Sequence, residues 1–180
     1  MSLVNSVLGP LDSDKLGYTL MHEHLHGAGA AIFQNYPELL DHNIKDHVVA
    51  GLRRAKKAGI DTIVDASTLD VGRDIALMIR ASQESGINII ATTGWCLNPD
   101  NFIGEMTADQ FAQLFVRDIK DGIAGTGARA GLIKSGADKN GVTQGGEIML
   151  RAAARAHLQT GTPIFLHSFA PGEIGRQQLA

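Results

Sequence analysis

The chain has a single cysteine, Cys96, among its 180 residues, so it cannot form an internal disulfide. One unpaired thiol is typical of a protein from a reducing compartment. No stretch of about eighteen apolar residues occurs, which argues against a transmembrane helix. The first ten residues also lack the charged and apolar regions of a signal peptide. These absences predict a soluble, cytoplasmic protein.

The sequence also lacks a strong excess of charge of either sign. Its 16 Lys and Arg residues nearly balance its 19 Asp and Glu residues, which leaves a net charge of −3. The densest basic run, residues 53–57, falls on a helical pattern with apolar residues on one side, so it predicts a solvated helix face. We therefore expect neither a nucleic acid nor a membrane as a partner. The 44% of hydrophobic residues suffices for one substantial core.

Five apolar segments rich in β-branched residues alternate with helical patterns. The predicted strands cover residues 18–24, 60–66, 87–93, 129–134 and 163–167, and the predicted helices cover residues 44–58, 73–83, 107–119, 148–159 and 173–180. Turn residues predict a small hairpin within residues 1–17 and loops at residues 27–37 and around Asn98 and Pro99. Apolar strands separated by helices indicate a parallel sheet buried on both faces, in one domain over residues 1–180.

Nitrogen-bearing side chains end three of these strands, where parallel βα folds place their chemistry. His22 and His24 end the first strand, and residues two apart in a strand face the same side. Such a pair can bind a zinc-like ion, although a polar strand end near the surface has the same pattern. Lys134 ends the fourth strand and His167 the fifth. Alone, either residue has an ordinary structural explanation; together, the four predict a common site.

Lys134 can bind a metal only after it changes chemically, because a protonated ammonium group has no lone pair. Burial among other cations would remove its proton. The free amine could then take up carbon dioxide and form a carbamate, a carboxylate on a long arm that can bridge two ions. The residues alone leave this chemistry open.

The chain resembles the phosphotriesterase family of the amidohydrolase superfamily, which includes lactonase-like and phosphotriesterase-related branches. The resemblance covers essentially the whole chain, and the order and spacing of its motifs agree. The motifs are Val7-Leu8-Gly9-Pro10, Gly17-Tyr18-Thr19-Leu20-Met21-His22-Glu23-His24, Gly59-Ile60-Asp61-Thr62-Ile63-Val64-Asp65, Gly72-Arg73-Asp74, Ala91-Thr92-Thr93-Gly94, Ala130-Gly131-Leu132-Ile133-Lys134 and Arg151-Ala152-Ala153-Ala154-Arg155-Ala156.

The resemblance implies a (β/α)8 TIM barrel, of which this chain would supply about the first five βα units, an incomplete barrel. It implies that His22 and His24 hold the more buried of two divalent metal ions, and that His167 belongs to the second. Lys134 would be the carbamylated ligand that bridges them and takes part in catalysis. We expect zinc before manganese or cobalt. A hydroxide held by both ions would attack a phosphotriester, a lactone or another ester bond of a small molecule.

The family's remaining ligands, from the sixth and eighth barrel strands, have no counterpart in this sequence. A partial chain of a full enzyme is the favoured interpretation. A barrel completed by a second chain, or a truncated, non-catalytic fragment or ligand-binding module, is the alternative. Because a five-stranded piece would expose its edge strands, we expect a homodimer.

Two residues after the third predicted strand are candidates for the substrate pocket. The family has an aromatic residue there beside the leaving-group pocket, and this position falls on Cys96, with Trp95 one residue earlier. Trp95 could line the pocket or pack in the core, because an apolar ring with one N–H suits either place.

Overall fold

The computed structural model describes residues 2–27, 29–40, 42–97 and 106–179, so the predicted loop at Asn98 and Pro99 lies outside the described residues. The strands are β1 (Leu3–Ser6), β2 (Gly9–Asp12), β3 (Thr19–Glu23), β4 (Thr62–Asp65), β5 (Asn88–Gly94), β6 (Leu132–Ala137) and β7 (Ile164–Ser168). The helices are α1 (Ala30–Asn35), α2 (Ile44–Lys57), α3 (Ile75–Ser85), α4 (Ala108–Lys120), α5 (Gln144–Thr160) and α6 (Ile174–Leu179). Within these ranges no helix is both long and apolar enough to cross a bilayer.

Strands β3 to β7 form one five-stranded sheet in chain order, and each neighbouring pair is parallel. A helix connects each strand to the next, which is the repeating unit of a (β/α)8 barrel. Strands β1 and β2 form a separate antiparallel hairpin. The predicted fold class is therefore confirmed: the sheet is a curled, partial TIM barrel flanked by helices.

The two faces of the sheet carry different side chains. Ile63, Ile89 and Ile133 belong to the large core between the sheet and the helices, which we call the helix-side face. The residues that alternate with them form a much smaller apolar cluster on the opposite, concave face, which includes Leu132 and Phe165. Because side chains alternate along a strand, residues two positions further along β6 and β7 also point to the concave face.

Several predicted boundaries differ from the structure; the helix predicted at residues 148–159, for example, is α5 (Gln144–Thr160). The fourth strand runs from Leu132 to Ala137 instead of ending at Lys134, because residues 135–137 pair with β7. Residues 27–37, predicted as a loop, contain α1, whose N-cap is Gly29. The end of a strand depends on the strand that pairs with it, and the start of a helix depends on the residue that caps it. The hydrophobic spacing of the sequence carries no information about either.

A buried ion pair ties the segment after β4 to β5 and α4. Arg73 Nη1 donates hydrogen bonds to Asp118 Oδ2 (2.9 Å) and to the carbonyl of Thr92 (2.8 Å). Thr93 Oγ1 donates to the same carboxylate oxygen at 2.8 Å. The side chains of Arg73 and Asp118 are only 4% and 11% exposed. Removal of one partner would leave the other charge buried without compensation.

We predict that Arg73→Met lowers the free energy of unfolding by about 3–5 kcal/mol, because Asp118 would stay buried without its counter-ion. Urea denaturation of the full chain, followed by circular dichroism, measures this loss. The matched control is Arg151→Met, whose ion pair with Glu147 has side chains 63% and 55% exposed. The control should change stability by at most about 1 kcal/mol. Equal losses in the two variants would contradict a special role for the buried pair.

Candidate metal centre

An irregularity in β3 directs His22 to the concave face. Leu20 pairs with Ile63, but the next pair is Glu23 with Asp65, so three steps along β3 match two along β4. Leu20 packs against the helix-side core, and strict alternation would therefore put His22 on that side as well. The extra residue forms a β-bulge, a device that changes the direction of a side chain next to many active sites.

The structure brings together the four residues predicted as metal ligands. His22 Nε2 lies 3.0 Å from Lys134 Nζ. The centroid of the His22 ring is 5.6 Å from that of His24 and 6.0 Å from that of His167. In a flat sheet β3 and β7 would be about 19 Å apart, at four strand spacings. The curl of the sheet therefore brings these rings together.

Lys134 lies at the base of this group. It is fully buried, and its Nζ is 4.3 Å from the centroid of the Phe165 ring. Burial lowers the pKa of Lys134, and the nearby Cys96 thiol opposes this effect. No carboxylate in the described part of the chain forms an ion pair with the amine. Burial thus raises the share of the uncharged amine, which is the form that reacts with carbon dioxide.

The three imidazoles are more open than the amine beneath them. His22 and His24 are exposed and His167 is half-buried. Partial burial lowers the pKa of His22, and the positive charges of Lys134, His24 and His167 lower it further. The neutral imidazole, which can bind a metal through its lone pair, is accordingly favoured near neutral pH.

Two residues at the end of β4, Asp65 and Ser67, contribute to this site and were missed in the sequence. The Oγ atom of Ser67 is 2.9 Å from Nδ1 of His24. The carboxylate of Asp65 accepts hydrogen bonds from the backbone N–H groups of Ser67 and Leu25. The available signal was two polar residues at the carboxyl end of an apolar strand, at the same edge of the sheet as His24.

Trp95 and Cys96 take different places. The Trp95 ring packs against Phe111, with ring centroids 6.2 Å apart, and contacts the helix-side core. Cys96 lines a pocket of about 400 Å³ with His24 and Asp70. Burial raises the pKa of the Cys96 thiol, as does the Asp70 carboxylate that accepts the Cys96 N–H at 3.1 Å. This thiol is uncharged near neutral pH and is a poor nucleophile.

The side chains of His22, His24, Lys134 and His167 fit a metal only if Lys134 is present as its carbamate. Among residues 2–27, 29–40, 42–97 and 106–179, no three His, Cys, Asp or Glu side chains lie close enough to hold an ion by themselves. His22, whose ring is near those of His24 and His167, contacts an amine and not a carboxylate. A carbamate on Lys134 would supply the missing oxygen ligand, and imidazole with carboxylate-type oxygen suits zinc and other first-row ions.

Comparisons with known proteins identify the relatives of this chain. The phosphotriesterase family model matches residues 2–180. The aryldialkylphosphatase of Saccharolobus solfataricus is 37% identical over 171 residues, covering 93% of this chain and 54% of that protein. The phosphotriesterase homology protein of Mycobacterium tuberculosis is 38% identical over 189 aligned positions, covering 99% of this chain and 58% of that protein.

A more distant relative is the N-acetyltaurine hydrolase of Salmo salar. It is 27% identical over 207 aligned positions, covering 96% of this chain and 59% of that protein. The chain thus spans between 54% and 59% of the length of these three relatives.

We predict that Gly94→Ala disturbs the backbone of Lys134. Gly94 has φ +105° and pairs with Lys134, and an added Cβ would lie 1.9 Å from the Lys134 carbonyl oxygen. We expect a loss of about 3 kcal/mol, from the strained backbone and the steric overlap together. Thermal unfolding followed by circular dichroism measures it.

The matched control for this change is Gly86→Ala. Gly86 also has a positive φ, +73°, but no atom lies within 4 Å of an added Cβ. We expect a loss of about 1 kcal/mol from the backbone alone. If both variants lost the same stability, the close approach of β5 and β6 would not be the constraint that we describe.

Proposed function

The chain belongs to the phosphotriesterase family, and we propose on that premise that it carries metal ligands of a hydrolase that cleaves ester bonds. The observation that carries the proposal is the contact between Lys134 Nζ and His22 Nε2, at 3.0 Å, on the concave face. A fully buried lysine without a carboxylate partner is costly to keep. A chemical role for its amine accounts for that cost.

In the proposed centre, His22 and His24 would hold one divalent ion and His167 would contribute to a second. Lys134, as its carbamate, would supply an oxygen ligand to the centre. When bound, the ions would supply an activated water and polarise the ester group under attack. The Phe165 ring lies 4.3 Å from the Lys134 amine, and the Ser67 hydroxyl contacts Nδ1 of His24. Zinc is our first choice of metal, before manganese or cobalt.

The proposed substrate is a small molecule with a phosphotriester, lactone or other ester bond. The relatives at 37% and 38% identity have names that refer to phosphate triesters, whereas the one that hydrolyses N-acetyltaurine is 27% identical. The pocket lined by His24, Asp70 and Cys96 lies beside the proposed centre and has the volume of a small-molecule site. The homodimer and the cytoplasmic location expected from the sequence stay predictions.

A second candidate function is a ligand-binding module without turnover. It is favoured by the finding that, within the described residues, fewer than three conventional ligand side chains meet at one point. This candidate requires no carbamate on Lys134 and at most weak binding of one ion by His22 and His24. The two candidates therefore differ in the state of Lys134.

We predict that the full chain binds zinc in the presence of bicarbonate and forms a carbamate on Lys134. Lys134→Ala and His22→Asn should each weaken zinc binding by at least about tenfold, because each change removes a direct ligand. Competition with a chromophoric chelator measures the affinity. Carbon-13 NMR with labelled bicarbonate detects the carbamate carbon, which Lys134→Ala should abolish.

Matched controls for these changes are Lys57→Ala and His42→Asn. Both residues are exposed, and neither is among the proposed ligands. Both should bind zinc as the unmodified chain does. The binuclear centre would be refuted if the unmodified chain gave no carbamate signal and the Lys134→Ala variant bound zinc as tightly as the unmodified chain. Weak zinc binding without hydrolysis of an aryl dialkyl phosphate or a lactone would favour the ligand-binding module.

A further inference from the structure

We propose that Ser67 is a positioning residue that holds His24 in one tautomer, with the proton on Nδ1 and the lone pair of Nε2 available to a metal. The proposal rests on the proposed function, because it concerns the same centre. It adds a residue that neither binds the metal nor touches the substrate. Its support is a set of hydrogen bonds at the carboxyl ends of β3 and β4.

The hydrogen bonds of the Ser67 hydroxyl determine the direction of its contact with His24. Ser67 Oγ lies 2.9 Å from His24 Nδ1 and 3.4 Å from the carbonyl oxygen of His26. A carbonyl can only accept, so we assign the single hydroxyl proton of Ser67 to its contact with His26. The Ser67 oxygen then accepts from His24, and the proton of the neutral imidazole resides on Nδ1.

The position of Ser67 is itself firmly held. Ser67 is 1% exposed, and its backbone N–H donates to Asp65 Oδ1 at 2.8 Å. Its carbonyl accepts a hydrogen bond from Thr92 Oγ1 at 3.3 Å. The hydroxyl therefore projects from a buried backbone that is bound to its own strand and to β5.

Asp65 connects this segment to the one that carries His24. The second oxygen of its carboxylate, Oδ2, accepts the N–H of Leu25 at 3.1 Å. The N–H of Ala66 donates to the carbonyl of Glu23 at 2.8 Å. Residues immediately before and after His24 are thus bound to the residues around Ser67, so the imidazole and the hydroxyl are kept within hydrogen-bond distance.

The arrangement matters because His24 is exposed and would otherwise sample both tautomers and several ring orientations. With the proton on Nε2, that nitrogen would present an N–H to the ion instead of a lone pair. Loss of the residue that orients a ligating histidine typically weakens metal binding by about 10–100-fold. We expect this range for Ser67→Ala.

The decisive measurement is the tautomer of His24 in the metal-free full chain, read from long-range proton–nitrogen NMR correlations. A pH of about 8.5 keeps free imidazole neutral, and His24→Asn assigns the signal. We expect the Nδ1–H tautomer in the unmodified chain and in Ser67→Thr, which keeps the hydroxyl. Ser67→Ala should give a mixture or the Nε2–H tautomer. An Nε2–H tautomer in the unmodified chain, or no change in Ser67→Ala, would overturn the proposal.

Zinc affinity provides the second readout, by the same chelator competition. Ser67→Ala should bind about 10–100-fold more weakly, whereas Ser67→Thr should restore binding. The matched control is Ser82→Ala, which removes another buried hydroxyl, bonded to the Ile87 carbonyl at 2.7 Å near the C-terminal end of α3. Equal affinities of Ser67→Ala and the unmodified chain would overturn the proposal. If the unmodified chain binds no zinc, the proposed function fails, and the tautomer measurement still decides the role of Ser67.

Discussion

The contact between Lys134 Nζ and His22 Nε2 is the constraint on which the concave face depends. It joins β6 to β3, which in a flat sheet would be about 14 Å apart, at three strand spacings. The contact therefore requires a curled sheet, and it requires that the β3 bulge turn His22 towards the curl. It also requires that an amine be kept buried and without a carboxylate partner, a costly arrangement that the proposed metal-binding role would explain.

The two faces of the sheet divide stability from chemistry. The helix-side face holds the large apolar core and the Arg73–Asp118 ion pair, which connects three segments. The concave face has little apolar material, and polar groups occupy its carboxyl end. Glycine contributes to this division where backbones approach closely: a Cβ on Gly136 would lie 2.2 Å from the Cys96 carbonyl oxygen. Strand β6, which also carries Lys134, can therefore receive the loop backbone on its concave side.

The main elements could be predicted from the sequence because hydrophobic periodicity is a local property. The location of the four candidate ligands at the strand ends follows from these elements, but strict strand parity would have turned His22 to the helix-side face. The directions of the Trp95 and Cys96 side chains follow from the same alternation, because the two residues continue β5. The indole therefore packs against the helix-side core and the thiol faces the pocket. The bulge could not be predicted, since it is a mismatch between β3 and a partner strand about forty residues later. Ser67 was not predicted for a related reason: its role depends on its contacts with the loop that carries His24 and His26, more than forty residues earlier.

The segment of residues 65–73, directly after β4, connects these observations. Asp65 binds the loop that follows β3, and Ser67 binds the imidazole of His24. Asp70 accepts the N–H of Cys96, which fixes the start of the loop after β5. Arg73 then binds α4 through Asp118. One short segment thus links the candidate ligands of β3, the pocket wall after β5 and the buried ion pair, so damage to the fold and damage to the site should be coupled through it. The Ser67 hydroxyl is the exception, because its bonds reach only the loop that carries His24 and its removal leaves the ion pair intact.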